Sequence, residues 1–240
     1  MKKIFALTAL AVSMFAANAS AATVTYDYTT DPSGAYGTGY TFQTTSWEQL
    51  LSLPKFNLAG KVLDSAVLTY MGGFQSSGDL DSEDAQAQHF VVNVGVDLSF
   101  WGDGTNGSDN VGFSDTGLII SKQLFNGNLA ADSDGAPDFA GTDSATGLTV
   151  AKEGANNTVG LTLASVIGAG NFSVDVLANS FFGVTGSANL ASNINTDARA
   201  KIAVTYTYHD APTQTPEPAT LALMGLGLAG FAVARKRKQA

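Results

Sequence analysis

The chain has 240 residues, no cysteine and a formal net charge of −9. Six of its 12 basic residues and one of its 21 acidic residues lie in two terminal segments, before residue 22 and after residue 215. Residues 22–215 therefore carry six basic and 20 acidic residues, a net charge of −14. A body this acidic excludes nucleic acid as an expected partner and repels anionic lipid. Without disulfides, its fold must be held by the core alone.

The first 21 residues have the three parts of a secretory signal peptide. Lys2-Lys3 is the positively charged start, residues 4–17 are the apolar run, and Ala19-Ser20-Ala21 is a small-residue cleavage site. We expect signal peptidase to remove this N-terminal signal helix, so that the mature chain starts at Ala22. Ala17-Asn18-Ala19 offers a second cleavage site.

Short apolar runs separated by Gly, Asn and Asp occupy residues 22–210 and predict strands joined by turns. The clearest run extends from His89 to Trp101, where every second residue is apolar, as on the core face of a central strand. These residues are Phe90, Val92, Val94, Val96, Leu98 and Phe100. The pattern favours an all-β fold, a β-sandwich or jelly roll, formed as a single domain by residues 22–210.

Further strands are predicted at residues 23–29, 39–45, 62–71, 117–124, 147–151, 158–164, 171–178, 181–187 and 199–209. Ser46-Trp47-Glu48-Gln49 fits two descriptions, since it could be a capping box that opens a helix or the start of a strand. The strand is favoured because Pro54 follows so soon. Acidic loops are predicted at residues 79–84 and 103–109.

The C-terminal segment has three parts after a short linker at residues 211–215. Pro216-Glu217-Pro218 comes first, residues 219–234 contain no charged side chain, and Arg235-Lys236-Arg237-Lys238 follows at once. A helix of residues 219–234 would be about 24 Å long, against about 30 Å for a hydrocarbon core, so it is a marginal transmembrane helix. The basic cluster should stay on the cytoplasmic side, which places the body outside.

These three parts, in this order, resemble the PEP-CTERM sorting signal at residues 216–240. The resemblance implies recognition by exosortase, a membrane protease-transferase of Gram-negative bacteria that have exopolysaccharide loci. It implies an inner-membrane intermediate, removal of the helix, and transfer of the body to the cell surface or an extracellular polysaccharide matrix. The three-part arrangement parallels that of a GPI signal, which is removed so that the mature product has no spanning helix.

The body carries a second resemblance. Residues 53–57 (Leu-Pro-Lys-Phe-Asn) with residues 60–68, Asp138-Phe139-Ala140-Gly141-Thr142, and Val204-Thr205-Tyr206-Thr207-Tyr208 are similar to the choice-of-anchor E family. That family consists of bodies that precede varied surface-anchoring signals. The family has no established biochemical activity, so the resemblance implies localisation at the cell surface more than a particular function.

Residues that could carry catalysis are few. His89 and His209 are the only histidines, which excludes a three-histidine metal site, and no nucleophile or phosphate-loop motif is present. An acidic β-sandwich can still place two carboxylates about 5–10 Å apart, as in glycoside hydrolases. We expect no enzyme activity, with a secreted glycoside hydrolase as the remaining enzymatic alternative.

Asp132-Ser133-Asp134-Gly135-Ala136-Pro137-Asp138 is the best candidate for a cation site. It places the carboxylates of Asp132, Asp134 and Asp138 around a glycine, and oxygen ligands at alternating positions suit calcium. The run resembles calcium loops of the thrombospondin type 3 or EF-hand kind but lacks a third closely spaced aspartate and a terminal bidentate glutamate. A solvated turn is the other interpretation, because Asp, Gly and Ser dominate turns.

Two classes of non-enzymatic function follow from the sequence. The first is a structural or adhesive surface protein associated with exopolysaccharide. The second is a carbohydrate-binding, lectin-like module that could depend on calcium. Aromatic residues such as Tyr36, Tyr40, Trp47 and Trp101 could form a sugar-stacking face, but they could equally belong to the core.

Overall fold

The computed structural model describes residues 21–29, 42–114, 116–132, 135–186, 189–212 and 225–228. The chain forms two units, Met1–His209 and Asp210–Ala240. The predicted signal helix lies outside the described residues, and so does the predicted transmembrane helix except for residues 225–228, which are helical. No helix within the described part of the chain has the length and apolar character needed to cross a membrane.

Up to residue 210, the described residues form eleven strands and one short helix. In chain order these are β1 (Ala22–Thr29), β2 (Gln43–Thr44), β3 (Trp47–Pro54), β4 (Lys61–Ser82), β5 (Gln88–Asp103), β6 (Asn110–Phe113), β7 (Leu118–Leu129), β8 (Ser144–Glu153), β9 (Asn157–Gly160), α1 (Leu163–Val166), β10 (Asn171–Thr185) and β11 (Leu190–Asp210).

The strands build two antiparallel sheets packed as a sandwich, which confirms the predicted all-β class. The six-stranded sheet has the order β1-β11-β4-β8, with β2 also paired to β11 and β9 to β4. The five-stranded sheet has the order β3-β10-β5-β6, with β7 also paired to β5. The chain crosses between the two sheets repeatedly, and the first crossing lies between β2 and β3.

The core lies between the two sheets and is made by alternate residues of the long strands. In β5 the six apolar residues predicted to share one face are all fully buried. In β11 the side chains of Ile202, Val204 and Tyr206 are also fully buried. The hydroxyl of Tyr206 donates a hydrogen bond to the carbonyl of Pro54 at 2.8 Å, which links β11 to the end of β3 in the opposite sheet.

Several predicted strand boundaries are wrong. β4 continues through Ser82, so residues 79–82 are strand rather than acidic loop. The two strands predicted at residues 171–178 and 181–187 are one strand, β10. The strand predicted at residues 158–164 ends at Gly160, and α1 begins three residues later. The start of β3 at Trp47 confirms the strand over the capping box.

The second half of β10 is an open edge in the described structure. β3 pairs with β10 only as far as Ala178, whereas β5 pairs with it through Thr185. Phe182 and Val184 lie opposite buried valines of β5 and so on the core side, yet they are 59% and 38% exposed. Beyond the end of β3, no described strand pairs with this edge of β10.

Candidate functional site

The predicted signal-peptide cleavage site coincides with the start of the folded body. Ala22 is the first residue of β1, where it pairs with Tyr208 of β11, and Ala21 precedes the strand. Ala19 lies outside the described residues. A cut before Ala22 would therefore leave β1 whole.

The predicted calcium loop is only partly described, because Asp134 lies outside the described residues. Asp132 accepts a hydrogen bond from the backbone N–H of Gly135 at 2.9 Å through Oδ1. Asp138 accepts one from the backbone N–H of Ala140 at 2.8 Å. Both carboxylates thus stabilise local turns, which is the role expected of aspartate in such loops.

Asp81 holds this loop against the end of β4. Its carboxylate is 3% exposed, and its Oδ2 accepts hydrogen bonds from the backbone N–H groups of Asp138 and Phe139 at 2.9 and 3.0 Å. Among the described residues, no three His, Asp or Glu side chains are grouped so that they could hold a metal ion. Calcium at Asp132, Asp134 and Asp138 stays a prediction.

The clearest pair of carboxylates, Asp175 and Glu48, lies elsewhere, on the five-stranded sheet. Asp175 of β10 is 1% exposed, because the loop of residues 104–109 folds over it and Asn106 donates a hydrogen bond to its Oδ2 at 3.3 Å. Burial raises the pKa of Asp175 above its usual range; the hydrogen bond from Asn106 opposes this shift and the neighbouring Glu48 adds to it. A carboxyl this enclosed cannot reach a polysaccharide, so the pair is poorly placed for hydrolysis.

Replacing Asp175 should change how stability depends on pH. Because its pKa is raised on folding, its favourable contribution is fully present below the unfolded pKa, near pH 4, and is lost as the pH rises through the folded pKa. Asp175→Asn cannot ionise and keeps an oxygen for Asn106. We expect its melting temperature to rise relative to that of the wild type between pH 4 and 7.

Asp103, at the start of the same loop, provides the matched control, because its pKa is shifted in the opposite direction. Hydrogen bonds from the side chain and backbone of Thr105 lower the pKa of Asp103, so its contribution is present above the unfolded pKa and is lost as the pH falls through the folded pKa. Asp103→Asn should therefore lose stability relative to the wild type as the pH rises. A pH-independent difference between Asp175→Asn and the wild type in thermal melts would contradict the prediction.

A groove lies on the outer face of the six-stranded sheet, where β11, β4 and β8 are neighbours. Two adjoining cavities of about 460 and 300 Å³ form it and share Ser77 and Thr149. Its side chains alternate along each strand with core residues and therefore share one face. We call it the amide groove and define it by six residues: Gln75, Ser77, Thr149, Asn193, Asn195 and Asp197.

Asp197 organises the amides at one end of the amide groove. Its Oδ2 accepts a hydrogen bond from Gln75 Nε2 at 3.0 Å. Its Oδ1 accepts one from Asn195 Nδ2 at 3.2 Å and one from Thr44 Oγ1 at 2.9 Å. Each of the two amides has a further N–H group and a carbonyl oxygen with which to bond a ligand.

An ion pair lies beyond Asp197. Arg199 of β11 and Glu153 of β8 pair across the intervening strand β4. The ion pair crosses β4 at Gly73, where an added Cβ atom would lie 2.6 Å from Glu153 Oε1. The guanidinium of Arg199 also lies 4.1 Å from the centre of the Phe42 ring.

The amide groove was not predicted from the sequence. The last strand was predicted to begin at Arg199, whereas β11 begins at Leu190, so Asn193 and Asn195 were not assigned to a strand. The available signal was the alternation of Asn193, Asn195 and Asp197, which places all three on one face once a strand is assumed.

The other predicted residues lie apart from the groove. His209 Nδ1 lies 2.7 Å from Asp64 Oδ1, which agrees with a satisfied surface histidine, and His89 is exposed at the start of β5. Trp47 and Trp101 are partly buried in the five-stranded sheet. Tyr36 and Tyr40 lie outside the described residues, so the predicted sugar-stacking face is not assembled from the residues that are described.

A comparison with known families identifies the C-terminal segment. Residues 214–238 match the PEP-CTERM protein-sorting motif. The chain carries an exosortase sorting signal. The prediction of this motif is confirmed, and it implies that the protein is exported, processed by exosortase and sorted to the cell surface. The match includes the Pro-Glu-Pro segment and the basic cluster and leaves the body outside it.

The body has weaker similarities. No curated protein matches the chain. Among solved structures, the VP2 subviral particle of infectious bursal disease virus is similar at 10% identity and a TM-score of 0.19, over 88% of this chain and 49% of that chain. The Gx strain of this virus gives 10% identity and a TM-score of 0.18, over 85% and 48% of the two chains. The chain spans about half the length of these viral proteins, and no property is transferred from them.

Proposed function

We propose that this PEP-CTERM protein is a structural or adhesive component of the cell surface or extracellular matrix, held in association with exopolysaccharide. The sorting motif at residues 214–238 is the observation that carries the proposal. Export through an inner-membrane intermediate, with exosortase then removing the chain beyond Pro218, would deliver the β-sandwich to the polymer layer. The body would be of the choice-of-anchor E type, on the motifs quoted above.

A non-enzymatic role is supported by the position of the carboxylates. Asp175 and Glu48 are paired, but Asp175 is 1% exposed beneath the loop of residues 104–109. General acid–base catalysis needs a carboxyl within hydrogen-bond reach of the substrate. Carbohydrate binding is the second candidate function, and the amide groove is the specific feature that favours it over hydrolysis.

The proposed role can be tested in the producing cells by deleting the gene and measuring how much polysaccharide stays with the cells after a shear wash. We expect the deletion strain to retain less polysaccharide and a strain carrying the restored gene to recover it. The mature protein should be recovered with the surface and matrix fractions. Unchanged polysaccharide retention in the deletion strain would reject the structural or adhesive role.

A further inference from the structure

We propose that the amide groove binds an uncharged, hydroxyl-rich oligosaccharide. The inference rests on the proposed association with exopolysaccharide and names the site that would make the contact. No catalytic step is involved, so the groove would act as a holding site on the outer face of the six-stranded sheet.

The chemistry of the amide groove matches sugar hydroxyl groups. A hydroxyl donates one hydrogen bond and accepts two. The groove offers three side-chain amides, two hydroxyls and one carboxylate, from the six residues that define it. An amide presents a donor and an acceptor side by side, which suits neighbouring hydroxyls on one ring. An apolar ligand would leave these groups without partners, at a cost for each.

The dimensions suit a short chain of sugars. Cavities of about 460 and 300 Å³ fall in the size range of ligand sites, about 300–1,000 Å³. The two cavities adjoin at Ser77 and Thr149, which line both of them. From Asn193 to Asp197 the groove follows β11 for about 13 Å, which is room for more than one ring.

The charges favour a neutral ligand. Asp197 and Asp79 line the two cavities, and the body carries a net charge of −14. Lys122 is the one cation among the described lining residues, and its Nζ donates a hydrogen bond to the carbonyl of Ala151 at 3.3 Å. An acidic polysaccharide would meet repulsion from the body as a whole.

The amides are also fixed before a ligand arrives. Asp197 bonds Gln75 and Asn195 at the same time, so neither side chain needs to be ordered on binding. Ordering a side chain at an interface costs about 0.5–1.5 kcal/mol. Preorganisation of this kind is what distinguishes the groove from scattered surface amides.

The test is native affinity electrophoresis of the purified mature protein, in gels that contain dextran, laminarin, galactomannan or the acidic polymer alginate. We expect at least one neutral polysaccharide to retard the protein and alginate to leave it unretarded. The double variant Gln75→Ala with Asn195→Ala removes two ligand-facing amides but keeps Asp197 and Thr44. Its affinity should fall roughly tenfold, the loss expected for two hydrogen bonds.

Asn93→Ala is the matched control, because Asn93 is an exposed amide on the outer face of the five-stranded sheet. It should bind as the wild type does, and melting curves should show that all variants are folded. The inference is overturned if no neutral polysaccharide retards the protein, or if the double variant is retarded as strongly as the wild type. The location of the protein is measured separately by surface fractionation. If the protein is found in the matrix but binds no neutral polysaccharide, the groove is rejected as a binding site and the proposed function is unaffected.

Discussion

Cells that lack exosortase are expected to keep this protein in the inner membrane with its C-terminus intact. The sorting motif at residues 214–238 is read by that enzyme, and the 16 uncharged residues from 219 to 234 are the part that would hold the unprocessed chain in the bilayer. In cells that have exosortase, the mature form should end near Pro218. Mass spectrometry of the isolated protein, with fractionation of both strains, measures the two outcomes.

Proline substitutions separate recognition of the motif from a general effect on the tail. Replacing Pro216 and Pro218 with alanine should produce the same nearly complete retention as loss of the enzyme. Pro212→Ala is the control. Pro212 precedes the residues that match the motif, so this variant should be processed normally. A full-length C-terminus in both strains would show that the tail is an ordinary anchor and that the body is a tethered periplasmic domain.

Adding one methyl group at Gly95 should destabilise the body strongly. Gly95 lies in the middle of β5, between Ser121 of β7 and Phe181 of β10. A Cβ atom there would meet the carbonyl oxygen of Ile120 and would lie 2.7 Å from Phe181 Cζ. The backbone oxygen belongs to a paired strand and cannot move without breaking the ladder. Overpacking of this kind costs about 3 kcal/mol, a fall in melting temperature of roughly 6–12 °C.

Gly183 of β10 provides the control, because it belongs to the same sheet and nothing lies within 4 Å of its Cβ position. Gly183→Ala should change stability by less than about 1 kcal/mol. Thermal unfolding followed by circular dichroism measures both variants. Equal melting temperatures for Gly95→Ala and Gly183→Ala would mean that the close approach of β7 and β10 to Gly95 is not as the structure has it.

The strands with regular apolar alternation were predictable, because local sequence alone sets which face is buried. β5 is the best example, since its buried residues follow the period of two without a break. Strand ends were less predictable, because distant partners decide them. Asn179 and Ser180 read as a break between two strands, yet β10 continues through them because Asp97 and Val96 of β5 pair with them.

The amide groove could not be recognised from the sequence for a related reason. The start of β11 shows no contrast between an apolar and a polar face, because a polar residue also points inward there. Thr196 is 7% exposed and shares a 2.7 Å hydrogen bond with Ser76 of β4. The two buried hydroxyl groups satisfy each other's hydrogen bonds across two strands. The sequence around either residue alone does not show that its hydroxyl is buried. Asp81 is similar, since its burial depends on the backbone N–H groups of a loop 57 residues away.

The position of β11 decides how the body would respond to tension. The chain leaves the body from the end of this strand, which lies between β1 and β4 rather than at a margin of the sheet. A pull on the C-terminal tether is therefore opposed by backbone hydrogen bonds to β4 on one side and, from Lys201 to Tyr208, to β1 on the other. A marginal strand would be held on one side and could be peeled away. The protein would thus be attached to the cell surface through a strand that has paired neighbours on both sides.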